Sequence, residues 1–137
     1  MGNTKSIGIA YSDQDLIGSD TVYVTGVLGY STAGQGTVTQ ATSKSTAVTL
    51  NKSAGQITMN NAALAGATAV SFTLNNSLIS TNDLLILNVG SGGTAVAYTV
   101  YTSSISAGSA VITLRNMTAS TSLSEAVVIN FALIHCQ

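Results

Sequence analysis

The side chains that could do chemistry in this chain are few and far apart. His135 is the only histidine and Cys136 the only cysteine. A hydrolytic triad brings a hydroxyl, an imidazole and a carboxylate together. Here the one imidazole sits among the last three residues, and no Gly-x-Ser-x-Gly elbow accompanies it. His135 therefore reads as a surface contact. With Cys136 it makes two adjacent metal ligands, whereas a zinc site takes three or four, so a metal there would need symmetry-related copies. Asp13-x-Asp15 followed by Gly18 and Asp20 has part of a calcium-loop pattern. The register fails, because Ile17 falls where a ligand belongs and Val24 replaces the closing bidentate Glu. An acidic, solvated loop is the better reading.

The other acidic residues outside that pair, Asp20, Asp83 and Glu125, are each explained by a turn or a strand end. The cluster Gly90-Ser91-Gly92-Gly93 lacks the following Lys-Ser/Thr of a phosphate loop and reads as an inter-strand loop. Asn51-Lys52-Ser53, Asn75-Asn76-Ser77 and Asn116-Met117-Thr118 are formal glycosylation sequons that arise by chance in such a composition. Thr-x-Thr pairs such as Thr37-Val38-Thr39 lack the fixed repeat of an ice-binding solenoid. Tryptophan is absent and aromatics total 5%, so stacking platforms for sugars are missing. The expectation is a protein that is not an enzyme, with no catalytic, cofactor or metal site.

The composition says what must hold these residues in place. Four basic and five acidic residues make 7% charged against about 25% in an ordinary soluble domain, and the net charge is -1. Such weak mutual repulsion implies a surface covered by further copies or by a partner. Four cations do not make a nucleic-acid surface. No run approaches the ~18 apolar residues of a membrane-spanning helix, and the opening residues lack the apolar core of a Sec signal. A lone cysteine allows no internal disulfide, which suits assembly in a reducing cytoplasm.

Period-two alternation dominates the chain. Val70-Phe72-Leu74, Val96-Tyr98-Val100, Ala110-Ile112-Leu114 and Val127-Ile129-Phe131-Leu133 each face one way, with Ser, Thr or Asn largely between them. These are half-buried strands. Phe72, Leu74, Tyr98, Ile112, Ile129 and Phe131 are the predicted core. The run 84–89 is apolar on both faces, as in a central or interface strand, and Leu85, Leu87 and Val89 are its expected subunit contacts. Turns fall at Asn60-Asn61, Asn75-Asn76-Ser77, 90–93 and Ala107-Gly108-Ser109. The predicted fold is all-β: an antiparallel, jelly-roll-like β-sandwich of about eight strands over 36–137, carrying an N-terminal arm over 1–35. With no Pro and few Lys to guard its edges, the sandwich is expected to be a homo-oligomer.

The arm has three of the five acidic residues and three of the five tyrosines, weaker alternation, and one predicted strand over 21–27. Tyr11, Leu16, Ile17, Tyr23 and Tyr30 are candidate anchors for grooves on a partner, and Asp13, Asp15 and Asp20 are candidates to pair with its basic groups.

Gly36-Thr37-Val38-Thr39-Gln40-Ala41-Thr42-Ser43-Lys44, Gly55-Gln56-Ile57-Thr58-Met59-Asn60, Ser71-Phe72-Thr73-Leu74-Asn75, Ser91-Gly92-Gly93-Thr94-Ala95 and Leu123-Ser124-Glu125-Ala126 together resemble a small β-domain family. It belongs to the virion structural proteins of tailed bacteriophages, and the likeness covers residues 36–134. The resemblance implies a head decoration (cement) protein made in the bacterial cytoplasm and carried on the capsid surface. Its partners would be the major capsid protein and its own copies, as a homotrimer, with no nucleic acid, membrane or cofactor. The alternative is a head-fibre, tail or baseplate module that contacts the host. Heptads or a collagen-like shaft would mark a fibre, and neither is present.

Overall fold

The computed structural model describes residues 21–136. The alternating segments form eight strands: β1 (Gln35–Thr39), β2 (Val48–Thr49), β3 (Ala54–Thr58), β4 (Ala69–Asn75), β5 (Leu84–Ser91), β6 (Tyr98–Ser106), β7 (Ser109–Asn116) and β8 (Val128–Ile134). A single 3₁₀ turn over Thr32–Gly34 leads into β1. Two four-stranded sheets, ordered β1-β3-β8-β5 and β2-β4-β7-β6, pack face to face as a sandwich. Side chains that alternate along each strand meet between the layers, as the apolar positions of the sequence require.

The sheets are mixed rather than wholly antiparallel. β1 runs parallel to β3, and β2 parallel to β4. The chain crosses to the opposite sheet at every connection except the β6–β7 hairpin. In the β1–β3 and β2–β4 pairs the chain leaves the sheet, crosses twice and returns beside the earlier strand in the same direction. Side-chain alternation encodes which face is apolar and not which way the neighbour runs. The direction was therefore not legible in the pattern. The hairpin turns through Gly108, whose φ of +78° is open to glycine at little cost.

Phe72, Leu74, Ile112, Ile129 and Phe131 are buried between the sheets with Val48, Ile57, Met59, Leu114, Val127 and Leu133. Tyr98 is partly buried and packs against this cluster. Two asparagines are also fully buried and tie loops to the layers. Asn116 Nδ2 donates to the Leu64 and Thr121 carbonyls, both at 2.9 Å. Asn76 Nδ2 donates to the Lys52 carbonyl at 2.7 Å. Buried amides persist when their donors and acceptors are matched in this way.

The predicted strand over 21–27 does not form. Among the described residues that segment pairs with no strand, and its side chains stand in solvent. The run 84–89 is also not central: β5 is the outer strand of its sheet.

Candidate functional site

Three places gather polar or exposed side chains. The first lies where the loop after β1 meets the loops around β6 and β8. Gln40 is buried, and its side-chain amide donates to the carbonyls of Lys44 and Thr46 at 3.0 and 2.8 Å. This bracing folds the Ser43-Lys44-Ser45 turn inward, so that Lys44 is only 3% exposed. Its ammonium donates to the backbone carbonyls of Asn60 and Glu125 at 2.6 and 2.5 Å. Burial lowers the Lys44 pKa, and the nearby Glu125 charge opposes that shift. The Glu125 carboxylate is turned toward Thr94, accepting from its hydroxyl at 2.7 Å and its backbone N–H at 3.0 Å. Those two bonds hold the Glu125 carboxyl below its ordinary value.

The Tyr98 hydroxyl is buried near Glu125 and makes no hydrogen bond of normal geometry. Burial, then the neighbouring carboxylate, pushes its ionisation well above the usual tyrosine range. The glycine-bearing loop fixed by Thr94 encloses an open cavity of about 250 Å³ lined by Val89, Gly90, Thr94, Val96 and Tyr98. The ammonium is spent on backbone carbonyls and the carboxylate on Thr94. The cluster fastens loops and leaves no free acid–base pair.

The second place is at the end of β8. Asp83 is buried. Its carboxylate accepts from the Ser80 N–H at 2.7 Å and the Cys136 N–H at 3.2 Å, and lies 2.9 Å from His135 Nδ1. Burial alone would raise this carboxyl, but the three hydrogen bonds outweigh it and keep the group ionised. A carboxylate on an imidazole is the orienting half of a triad. Among the described residues no hydroxyl or thiol is hydrogen-bonded to that imidazole, and no group of three or more potential ligands could hold a metal. His135 pins the segment after β8 to the loop before β5.

The third place is apolar. Tyr23 and Val27 are 92% and 98% exposed ahead of β1. Tyr30 is the exception in that segment: its hydroxyl donates to the Leu133 carbonyl of β8, and Gln35 Nε2 donates to its own carbonyl at 2.7 Å. Leu28, Gly29, Tyr30, Ala132 and Ile134 line a shallow cavity of about 440 Å³. Beside it, Leu84 and Ile86 point outward from β5 and are 57% and 53% exposed.

The candidate residues from the sequence are therefore distributed as follows. Tyr11, Asp13, Asp15, Leu16 and Ile17 lie outside the described residues. Tyr23 is free in solvent. Tyr30 is hydrogen-bonded to its own sandwich through its hydroxyl. Leu85 is buried, and Leu87 and Val89 pack against the core. All three face inward, because β5 pairs with β8 in a register that sets them opposite the inward-facing Leu133, Phe131 and Ile129. They do not lie on the outer surface of the sheet, where Leu84 and Ile86 are exposed. A run apolar on both faces carries no phase of its own, and the clear alternation of β8 supplies it once the pairing is known. No protein-family model matches this sequence, and neither the curated proteins nor the solved structures provide a match.

Proposed function

We propose that this chain is a decoration (cement) protein of a bacteriophage head. In this reading it binds the outer capsid surface and stabilises the shell by bridging major capsid subunits through the segment ahead of β1. The observation that carries this reading is the pair Tyr23 and Val27, almost wholly exposed on a segment outside both sheets. Apolar side chains on such a backbone gain most by filling grooves on another protein. The sparse charge of the described residues supports the same reading. Lys44 and Asp83 are buried, which leaves Lys52, Arg115 and Glu125 to charge the surface. The likeness of residues 36–134 to virion β domains supplies the class of partner.

Purified protein mixed with phage heads lacking it should bind saturably and raise their resistance to heat. A Tyr23→Asp/Val27→Asp variant should fold but lose that binding. Absence of binding by the parent chain would overturn the reading. Retained binding by the variant would move the footprint to the sandwich loops. Quantitative mass spectrometry of virions separates the alternative: hundreds of copies mark a head surface, a handful a tail or fibre.

A further inference from the structure

We infer that the β5–β6 side of the sandwich is the surface on which copies of this chain associate. β5 is the outer strand of one sheet and β6 of the other, and they lie side by side. Thr102 in β6 donates across to the Leu85 carbonyl in β5 at 3.2 Å, so the two outer strands border the same side of the sandwich. The opposite side is closed by short strands, five residues in β1 and two in β2. Here the outer strands have eight and nine residues.

A long outer strand with unpaired N–H and C=O groups invites another strand, and proteins guard such edges with lysine, proline, bulges or brevity. Residues 84–114 contain no Asp, Glu, Lys or Arg, and the whole chain has no Pro. Each edge has one bulge, at Val89/Ser91 in β5 and at Thr102/Ser104 in β6. Ahead of those bulges the strands are regular, and there the apolar side chains gather. Leu84 and Ile86 are more than half exposed. Ile134, the β8 partner of Leu84, is 44% exposed on the same outer face of this sheet.

A second copy is the occupant that fits. The patch has no charge with which to select a charged partner. An unpaired strand edge is complemented by another strand edge, and each copy brings two. If β5 met β5, the contact would close on a two-fold axis. If β5 met the β6 of the next copy, the contact would run head to tail and close a ring, which is the arrangement a trimer requires. The inference does not depend on what surface the assembled protein binds.

Sedimentation equilibrium of the full chain tests it. The parent should have a discrete multiple of the monomer mass at tens of micromolar. Leu84→Lys/Ile86→Lys should weaken association about tenfold or more, since lysines would be buried in an apolar contact. Thr37→Lys/Thr39→Lys adds the same charge to the opposite edge and should leave the mass unchanged. Strand content by circular dichroism checks folding, and Ile86→Lys alone serves if the double variant does not fold. A monomeric parent, or a folded edge variant that associates like the parent, overturns the inference. A monomer that still binds phage heads would do so while leaving the proposed function standing.

Discussion

The ammonium of Lys44 donates to the backbone carbonyl of Glu125, 81 residues away in sequence, at 2.5 Å. The contact is not a simple ion pair, because the Glu125 carboxylate is engaged by Thr94. One cation thereby ties the loop after β1 to the approach to β8, with Asn60 as its other carbonyl partner. A buried charge is tolerated when its hydrogen bonds are made, and its neighbours suffer when it is taken away.

Lys44→Met keeps much of the stem volume and removes the charge. It leaves two inward carbonyls without their donor, a loss of about 2–3 kcal/mol. Urea unfolding should show a lower midpoint with an unchanged slope. A variant as stable as the parent would mean that water replaces the ammonium at little cost.

Acid should destabilise the fold through Asp83 and Glu125. Both carboxyls are held below their ordinary values of 3.8 and 4.5, so the unfolded chain binds these protons more readily than the folded one. The stabilisation is complete above the unfolded values and is lost as pH falls through the folded ones. Thermal midpoints should stay level from neutral pH to about 5 and then fall. Asp83→Asn and Glu125→Gln should each flatten that fall. If neither variant changes the acid dependence, other groups carry it.

Legibility in the sequence follows the physics of each feature. The alternations at 70–74, 110–114 and 127–133 named the inward faces of β4, β7 and β8 correctly, because the larger apolar side chains at every second position all pack into the core. The parallel pairings were hidden, since alternation is blind to strand direction. The phase of β5 was hidden because Leu84, Leu85, Ile86 and Leu87 are all apolar. Asn76 reads as a turn residue and Asn116 as part of a chance sequon, yet both are buried hubs whose partners come from distant loops. Lys44, set among Ser43, Ser45 and Thr46, gave no sign of burial. Its position depends on the Gln40 side chain folding that turn inward.

The core offers a direct check on strand register. Phe72 and Phe131 are 3% and 4% exposed, on facing sheets. Phe72→Ala or Phe131→Ala removes a ring that its neighbours cannot replace, at a cost of about 3–5 kcal/mol. That is a large part of a small domain's stability. Calorimetry should record a much lower midpoint for each. Parental midpoints for both would mean that these strands are turned by one residue.

Val96 gives the opposite sign. It is fully exposed at the tip of the loop between β5 and β6, with φ at +57°. A β-branched residue pays for that left-handed conformation in contacts between its Cβ substituents and its own backbone. The turn is fixed from both sides: Ala97 N–H donates to the Thr94 carbonyl at 3.1 Å, and Thr94 is held by Glu125. The loop cannot relax away from the strained angle without breaking those bonds. Val96→Gly removes the steric cost and adds backbone entropy to the unfolded chain, two effects of opposite sign. The steric term is the larger at a β-branched residue, so the net effect should be a stabilisation of about 0.5–1 kcal/mol. Since the side chain touches nothing in the sandwich, strand content and core packing should not change. Chemical unfolding of Val96→Gly beside the parent reads the difference, and Val96→Ala separates branching from conformation by relieving only part of the strain. A destabilised glycine variant would mean that the entropy gained by the unfolded chain outweighs the relieved strain.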